Sequence, residues 1–130
     1  MDTIDLGGGF TVTGHECEGY VCWRVTGCLD LFRTPRLMQA VHRACLRGRR
    51  HHLIDLSEVW AADASAVREL VRLHKLLARS GRLAVTAPRG AAPWVLLRTT
   101  RADQILEVYE YLADADRNLR SRFPAREMRA

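Results

Sequence analysis

The hydrophobic positions of this 130-residue chain form short alternating runs near the N-terminus and longer runs of helical period further on. Residues 10–13 alternate apolar and polar side chains, as a half-buried strand does. Residues 20–27 form a second run that is rich in aromatic and β-branched residues. Glu18-Gly19 between the two runs is a turn signal, so the pattern predicts a β-hairpin.

Two helices are predicted where apolar residues recur every three or four positions. Thr34 as N-cap and Pro35 at the first helical position begin one helix, and Arg47-Gly48 ends it. Asp63 is the predicted N-cap of the other helix, whose apolar residues lie at positions 67–78. Both helices therefore have one face that a sheet could cover.

The remaining apolar runs complete an alternation of strands and helices. They are a buried strand at 53–56, a strand at 83–87, a short helix at 93–97, a last strand at 105–109 and a final helix at 112–122. Helices between strands are typical of crossover units, so we predict an α/β fold. Its sheet is mixed and mostly parallel, with about five strands flanked by about four helices. The domain covers residues 9–120, after a loose lead-in at 1–8 and before a flexible basic tail at 121–130.

The stretch from His52 to Arg79 is the centre of this pattern. It contains a buried strand, a short loop and a helix whose first turn is small and polar. Such a junction directs unpaired backbone N–H groups at one point of the surface. We expect the functional site at that point.

Composition and charge narrow the function only slightly. The net charge is +5, and 19 of the 20 basic residues are arginines spread along the chain. Nucleic-acid binding through Arg47, Arg49 and Arg50 is therefore a weak alternative, and a solvated helix end explains the cluster as well. The chain has no apolar run of about 18 residues and no signal-peptide pattern, so we expect a cytoplasmic protein.

The cysteines and the catalytic motifs argue against chemistry. Cys17, Cys22, Cys28 and Cys45 lack paired spacing, so we predict buried free thiols; a zinc site with His15 is the alternative. No P-loop, dinucleotide fingerprint, nucleophile elbow or zinc-protease motif is present. We expect no enzyme activity, no metal and no cofactor.

Four motifs in order resemble the STAS domain family. Residues 55–67 resemble its signature D-L-S-x-V-x-F-x-D-S-S-G-L, and Gly27-Cys28-Leu29-Asp30 resembles the G-x-L-D before its first helix. Residues 81–85 resemble its G-x-x-L-x-V strand, and residues 97–102 its L-x-x-T-G-L segment. The resemblance spans residues 10 to 115 and implies an anti-sigma factor antagonist-like fold.

The resemblance also implies a function. Free-standing domains of this family are typically anti-sigma factor antagonists, bacterial regulators of transcription that work by partner switching. It implies docking on an anti-sigma factor or kinase-like protein through the helix start and the acidic positions beside it. The residues that match this surface are Asp30, Asp63, Ala64, Ser65, Ala66 and Val67.

The signature departs from the family at the position of regulation. Phosphorylation of the first serine after the aspartate breaks the family's complex, and that position is Ala64 here. Three interpretations are open: a constant binder, phosphorylation of Ser65 instead, or a different partner. We favour the constant binder.

Two further alternatives and the oligomeric state are left open. The chain could be a STAS subunit of another assembly, either a stressosome-like complex or a lipid-transport ABC complex. It could also be a small-ligand or nucleotide sensor that uses the helix start at 63–66 as an anion site. A homodimer is compatible with the sequence.

Overall fold

A sheet whose six strands lie in chain order forms the centre of the fold. The computed structural model describes residues 2–5 and 9–122. The strands are β1 (Asp2–Asp5), β2 (Thr11–Cys17), β3 (Tyr20–Leu29), β4 (His51–Ala62), β5 (Arg82–Thr86) and β6 (Glu107–Tyr109). The helices are α1 (Thr34–Leu46), α2 (Ala64–Leu77), α3 (Ala92–Thr99) and α4 (Leu112–Arg122), with a short 3-10 helix at Ala102–Gln104.

The strand directions follow from the connections. A turn at Glu18-Gly19 joins β2 to β3, and β1, β2 and β3 pair antiparallel. From β3 onwards each strand pairs parallel with the next, after a helical crossover. The predicted α/β class, the hairpin and the mostly parallel sheet with about four helices are confirmed.

The helices cover the two faces of the sheet unequally. α1, α2 and α3 pack on one face, where Phe10, Leu37, Ile54, Leu70 and Leu97 are among the fully buried side chains. α4 packs alone on the other face, over a smaller cluster. That cluster consists of Tyr20, Cys22, Leu53, Ala84, Ala115 and Leu119.

The two chain ends differ from the predicted lead-in and tail. Asp2–Asp5 forms β1, because the outer edge of β2 offers unpaired backbone groups that a strand can satisfy. Residues 2–5 contain three polar residues and one apolar residue without alternation, so the sequence shows no strand period there. Residues 1 and 6–8 lie outside the described part. Residues 121–122 belong to α4, and the predicted tail beyond them also lies outside it.

The predicted start of α1 is one residue out, and Thr34 is not its N-cap. Arg33 is the N-cap residue and makes no side-chain cap, while the Thr34 hydroxyl donates to the Asp30 carbonyl at 2.6 Å. The Asp30 carboxylate instead accepts from the backbone N–H of Phe32 and of Arg33, at 3.0 and 2.8 Å. A short polar side chain at Asp30 thus orders the turn into the helix.

Two strand lengths also differ from prediction. β4 continues to Ala62, where we predicted a loop, because β3 pairs with it as far as Leu29 and Ala62. β6 contains only residues 107–109, because the chain turns at Arg101, whose φ is +60°, and enters the 3-10 helix. No helix of the described residues has the length and apolar character needed to cross a membrane.

Candidate functional site

The candidate site is the corner where β3 and β4 end and α2 begins. Two hydrogen bonds join its parts: the Asp63 N–H donates to the Leu29 carbonyl at 3.2 Å, and the Leu31 N–H donates to Asp63 Oδ2 at 3.1 Å. The loop after β3 is therefore fixed to the first residue before α2. We call Asp30, Asp63, Ala64, Ser65, Ala66 and Val67 the α2 corner.

Asp63 caps α2 as predicted. Its Oδ1 accepts from the backbone N–H of Ser65 at 3.0 Å and of Ala66 at 3.3 Å, and also from the Ser65 hydroxyl. The Ser65 hydrogen bond, followed by the backbone ones, holds the pKa of Asp63 below its usual value. These donors serve the chain's own carboxylate, so they are not open to a bound anion.

The corner exposes fewer side chains than the sequence suggested. Ala64 is exposed and Asp63 half-buried, whereas Ser65 is 9 %, Ala66 1 % and Val67 8 % exposed. Three of the predicted docking residues thus pack mainly inside the monomer. The Ser65 hydroxyl, the remaining candidate for phosphorylation, is held by the Asp63 carboxylate.

Asp30 has a structural role at this corner. Besides ordering the turn before α1, its carboxylate forms an ion pair with Arg33 at 2.5 Å. It is half-buried, with part of the carboxylate facing solvent.

Three exposed apolar residues near the corner were missed from sequence. Leu31, Phe32 and Trp60 are 59 %, 81 % and 70 % exposed. They lie at the same end of the sheet as the α2 corner, in the loop after β3 and near the end of β4. Large exposed apolar side chains grouped at one end of a domain mark an interaction surface. The available signal was the pair Leu31-Phe32, two large apolar residues in the predicted turn between Asp30 and α1.

Comparison with models of protein families identifies the family of this chain. The family model described as "Mlab, STAS domain" matches residues 21–110, more than half of the chain. The chain belongs to the STAS domain family. A search of the curated proteins gave no match.

Several solved structures have a fold similar to that of this STAS domain. An anti-sigma factor antagonist from Mycobacterium paratuberculosis is 23 % identical, with a TM-score of 0.77, over 85 % of this chain and 94 % of that one. The anti-sigma factor antagonist SpoIIAA in its unphosphorylated form is 18 % identical, with a TM-score of 0.61, over 87 % and 97 %. The Bacillus cell fate determinant SpoIIAA in its phosphorylated form is 15 % identical, with a TM-score of 0.57, over 83 % and 97 %. At these identities the likeness establishes the fold.

The basic and cysteine-containing segments of this STAS domain have structural partners. Arg49 pairs with Glu16 at 2.7 Å, and His52 is fully buried between Trp23 Nε1 and the Arg49 carbonyl, each 3.0 Å away. Burial lowers the pKa of His52 to about 4, so its ring is neutral at pH 7.

All four cysteines are free; Cys22 is buried and the other three are half-buried. Among the side chains described, those of residues 9–120, no three metal-ligating groups cluster.

Proposed function

We propose that this STAS domain is a protein-binding regulatory module of the anti-sigma factor antagonist type, without catalytic activity of its own. It docks on an anti-sigma factor or kinase-like protein through the exposed part of the α2 corner. The main support for this proposal is that Ala64 is exposed at the start of a helix that Asp63 caps. Leu31, Phe32 and Trp60 are also exposed at the same end of the sheet. The fold likeness to anti-sigma factor antagonists supports this proposal.

The proposed module does not switch by phosphorylation. Ala64 has no hydroxyl to accept phosphate, and it stands where the STAS signature has the first serine. Ser65 is buried and hydrogen-bonded to an ionised carboxylate, so a phosphate there would meet both a packed surface and a like charge. Both observations support a binder that is constantly competent, whose control lies in the partner or in its own abundance.

A charge placed at Ala64 tests the docking surface without disturbing the fold. Ala64→Glu puts a carboxylate at a helix N-terminus, which favours negative charge, so α2 should keep its stability. The same charge in a desolvated interface should weaken partner binding by about a hundredfold. Ala92→Glu, at the exposed first residue of α3, is the matched control.

The measurement is affinity capture from the source organism's lysate with wild type, Ala64→Glu and Ala92→Glu as baits, followed by mass spectrometry. We expect an anti-sigma factor or a kinase-like ATPase on wild type and Ala92→Glu, and its loss from Ala64→Glu. Equal capture by all three baits would contradict docking at the α2 corner. A transport ATPase lost in the same way would assign the chain to the alternative class, a subunit of another assembly.

A further inference from the structure

A second surface feature begins at the α2 corner, shares Ala64 and Val67 with it and extends beyond it along α2. A groove of about 620 Å³ runs along the outer side of α2. Its apolar walls come from Val67, Val71 and Leu76 on α2 and from Ala102 and Ile105 beyond α3. Leu76 and Ile105 are 71 % and 49 % exposed, so part of this apolar surface faces water.

The groove has the length of a short helix. Its lining residues on α2 extend from Ala64 to Leu76, a span of about 18 Å at 1.5 Å per residue. That length matches about three turns of a helix lying alongside α2. One end is Ala64 itself, so a partner seated on the α2 corner reaches the groove without a break.

The rim of the groove is cationic. Arg68, Arg72 and Lys75 line it on the α2 side, and its lining contains no carboxylate. Arg72 also forms an ion pair with Glu69 on the same helix at 3.5 Å, with the guanidinium largely exposed. Across α1, α2 and α3 together, six Arg and Lys side chains stand against that one carboxylate. An occupant must therefore be acidic where it meets the rim.

We propose that this groove binds an amphipathic, acidic helical segment of the docking partner. Apolar side chains of the segment would fill the space between Leu76 and Ile105, and its carboxylates would meet Arg68, Arg72 and Lys75. The inference rests on the proposed function, since the segment belongs to the protein that docks at the α2 corner. It adds the partner's chemistry and a second contact surface.

The charge pattern excludes two occupants from this chain itself. A second copy would bring the same cationic helix face to the groove, and like charges across an interface cost several kcal/mol. The C-terminal residues 123–130 carry Arg126 and Arg129 against Glu127, so this segment brings no excess of negative charge to the rim. An anionic membrane matches the charge, but a concave surface with recessed apolar walls suits a helix better than a flat bilayer.

The test uses the full chain and three labelled peptides of about 14 residues, long enough to span the groove. The first has leucines on one helical face and glutamates on the other, the second is a scramble of it, and the third has lysine for every glutamate. Fluorescence anisotropy gives the affinities, and amide chemical shifts locate the contact. We expect a Kd on the order of 100 μM or tighter for the acidic amphipathic peptide and binding at least about tenfold weaker for the others.

Matched variants separate the groove from general charge. Arg68→Glu, Arg72→Glu and Lys75→Glu combined should weaken acidic-peptide binding by more than about tenfold. Arg47→Glu, Arg89→Glu and Arg117→Glu combined make the same change in net charge at exposed sites outside the groove, and should change binding less than about threefold. Ile105→Asp should also weaken binding, whereas Leu46→Asp, an exposed residue of α1, should not.

The outcomes distinguish this inference from the docking proposal. Equal binding of the scrambled peptide, or shifts away from α2, would overturn the groove assignment. So would binding to vesicles of phosphatidylcholine and phosphatidylglycerol without binding to the peptide, which would make the surface a membrane contact. Partner capture that Ala64→Glu abolishes but the triple variant of Arg68, Arg72 and Lys75 keeps would support docking at the corner without the groove, because Ala64 belongs to both surfaces. Peptide binding that persists when capture is insensitive to Ala64→Glu would preserve the groove and reject the corner.

Discussion

At residue 64 this chain has alanine, which lacks the hydroxyl of the serine that the STAS signature has there. We expect Ala64→Ser to restore the missing acceptor, because the position is exposed and the new side chain supplies the hydroxyl that the STAS signature has there. Incubation with the proposed kinase-like partner and ATP should add one phosphate to the variant and none to wild type, as measured by intact mass. Ala64→Ser combined with Ser65→Ala should still accept it. Phosphate on the wild-type chain that Ser65→Ala removes would show that Ser65 has taken over.

Residue 52 carries a second prediction, on stability against pH. His52 is fully buried, and its folded pKa of about 4 lies below the unfolded value of 6.5. As pH falls from about 6.5 to about 4, His52 becomes protonated in the unfolded chain but stays neutral in the folded one. The free energy of unfolding therefore drops by on the order of 3 kcal/mol. The ring contacts Trp23, Cys45 and the Arg49 carbonyl, and besides burial the charges of His51 and Arg49 also lower its pKa.

Urea unfolding at pH 7.5 and about pH 4.5 measures the effect. His52→Gln should flatten the pH dependence, because glutamine can accept from Trp23 Nε1 and donate to the Arg49 carbonyl without titrating. A smaller slope should persist, because the pKa of His51 is lowered too. His42→Gln, at an exposed residue of α1, should leave the slope unchanged. An unchanged slope in His52→Gln would mean that another group causes the acid sensitivity.

At the scale of elements, the sequence predicted those helix ends and turns that depend on residues close together in the chain. Asp63 caps α2 by contacts within three residues, and the hairpin follows from Glu18-Gly19; both could be read from local pattern. The extension of β4 could not, because it depends on pairing with β3 thirty residues earlier. The burial of Ser65 likewise depends on how α2 packs, whereas Val67 already belongs to the apolar face that the sequence predicts for α2.

The glycines of the STAS motifs show why such motifs were informative. A Cβ on Gly81 would lie 1.9 Å from the Arg50 carbonyl oxygen, so β5 can begin beside the loop before β4 only if this residue has no side chain. Gly27 has a φ of +99° and would meet the backbone of Gly9 and Phe10. Both motif positions thus mark close backbone approaches that fix neighbouring elements, independently of any partner.

Gly81→Ala should therefore separate β5 from the start of β4. We expect a loss of about 2–4 kcal/mol in the free energy of unfolding, since the backbone oxygen cannot move away without disturbing the sheet. Ser80→Ala, at the exposed preceding residue, should change it by less than about 0.5 kcal/mol. Chemical denaturation of both variants gives the comparison. Equal stability would imply that the loop at Arg50 yields without cost.

On the scale of the whole molecule, the two faces of the sheet differ in how many buried apolar side chains pack against them. Three helices cover one face, and α4 alone covers the other over a core of six buried residues. Polar contacts reinforce α4: Tyr20 donates to Asp116, and Arg82 donates to Asn118 at 3.0 Å. Because elements with few buried apolar contacts open first, α4 should be the least protected of the helices. The proposed binding surfaces lie with α2, on the well-covered side.

Local opening of α4 can be followed through Cys22, which lies under it and is 6 % exposed. Burial raises the pKa of its thiol to about 12, so it should react slowly while α4 covers it. Leu119→Ala removes a fully buried side chain of α4 and should speed thiol labelling at Cys22 more than about tenfold, measured by site-resolved mass spectrometry under native conditions. Leu97→Ala on α3 creates a similar cavity on the other face and should leave labelling governed by global unfolding. Equal acceleration by both variants would mean that the two faces open together, and acidic-peptide binding to the α2 groove should then fall in Leu119→Ala as well.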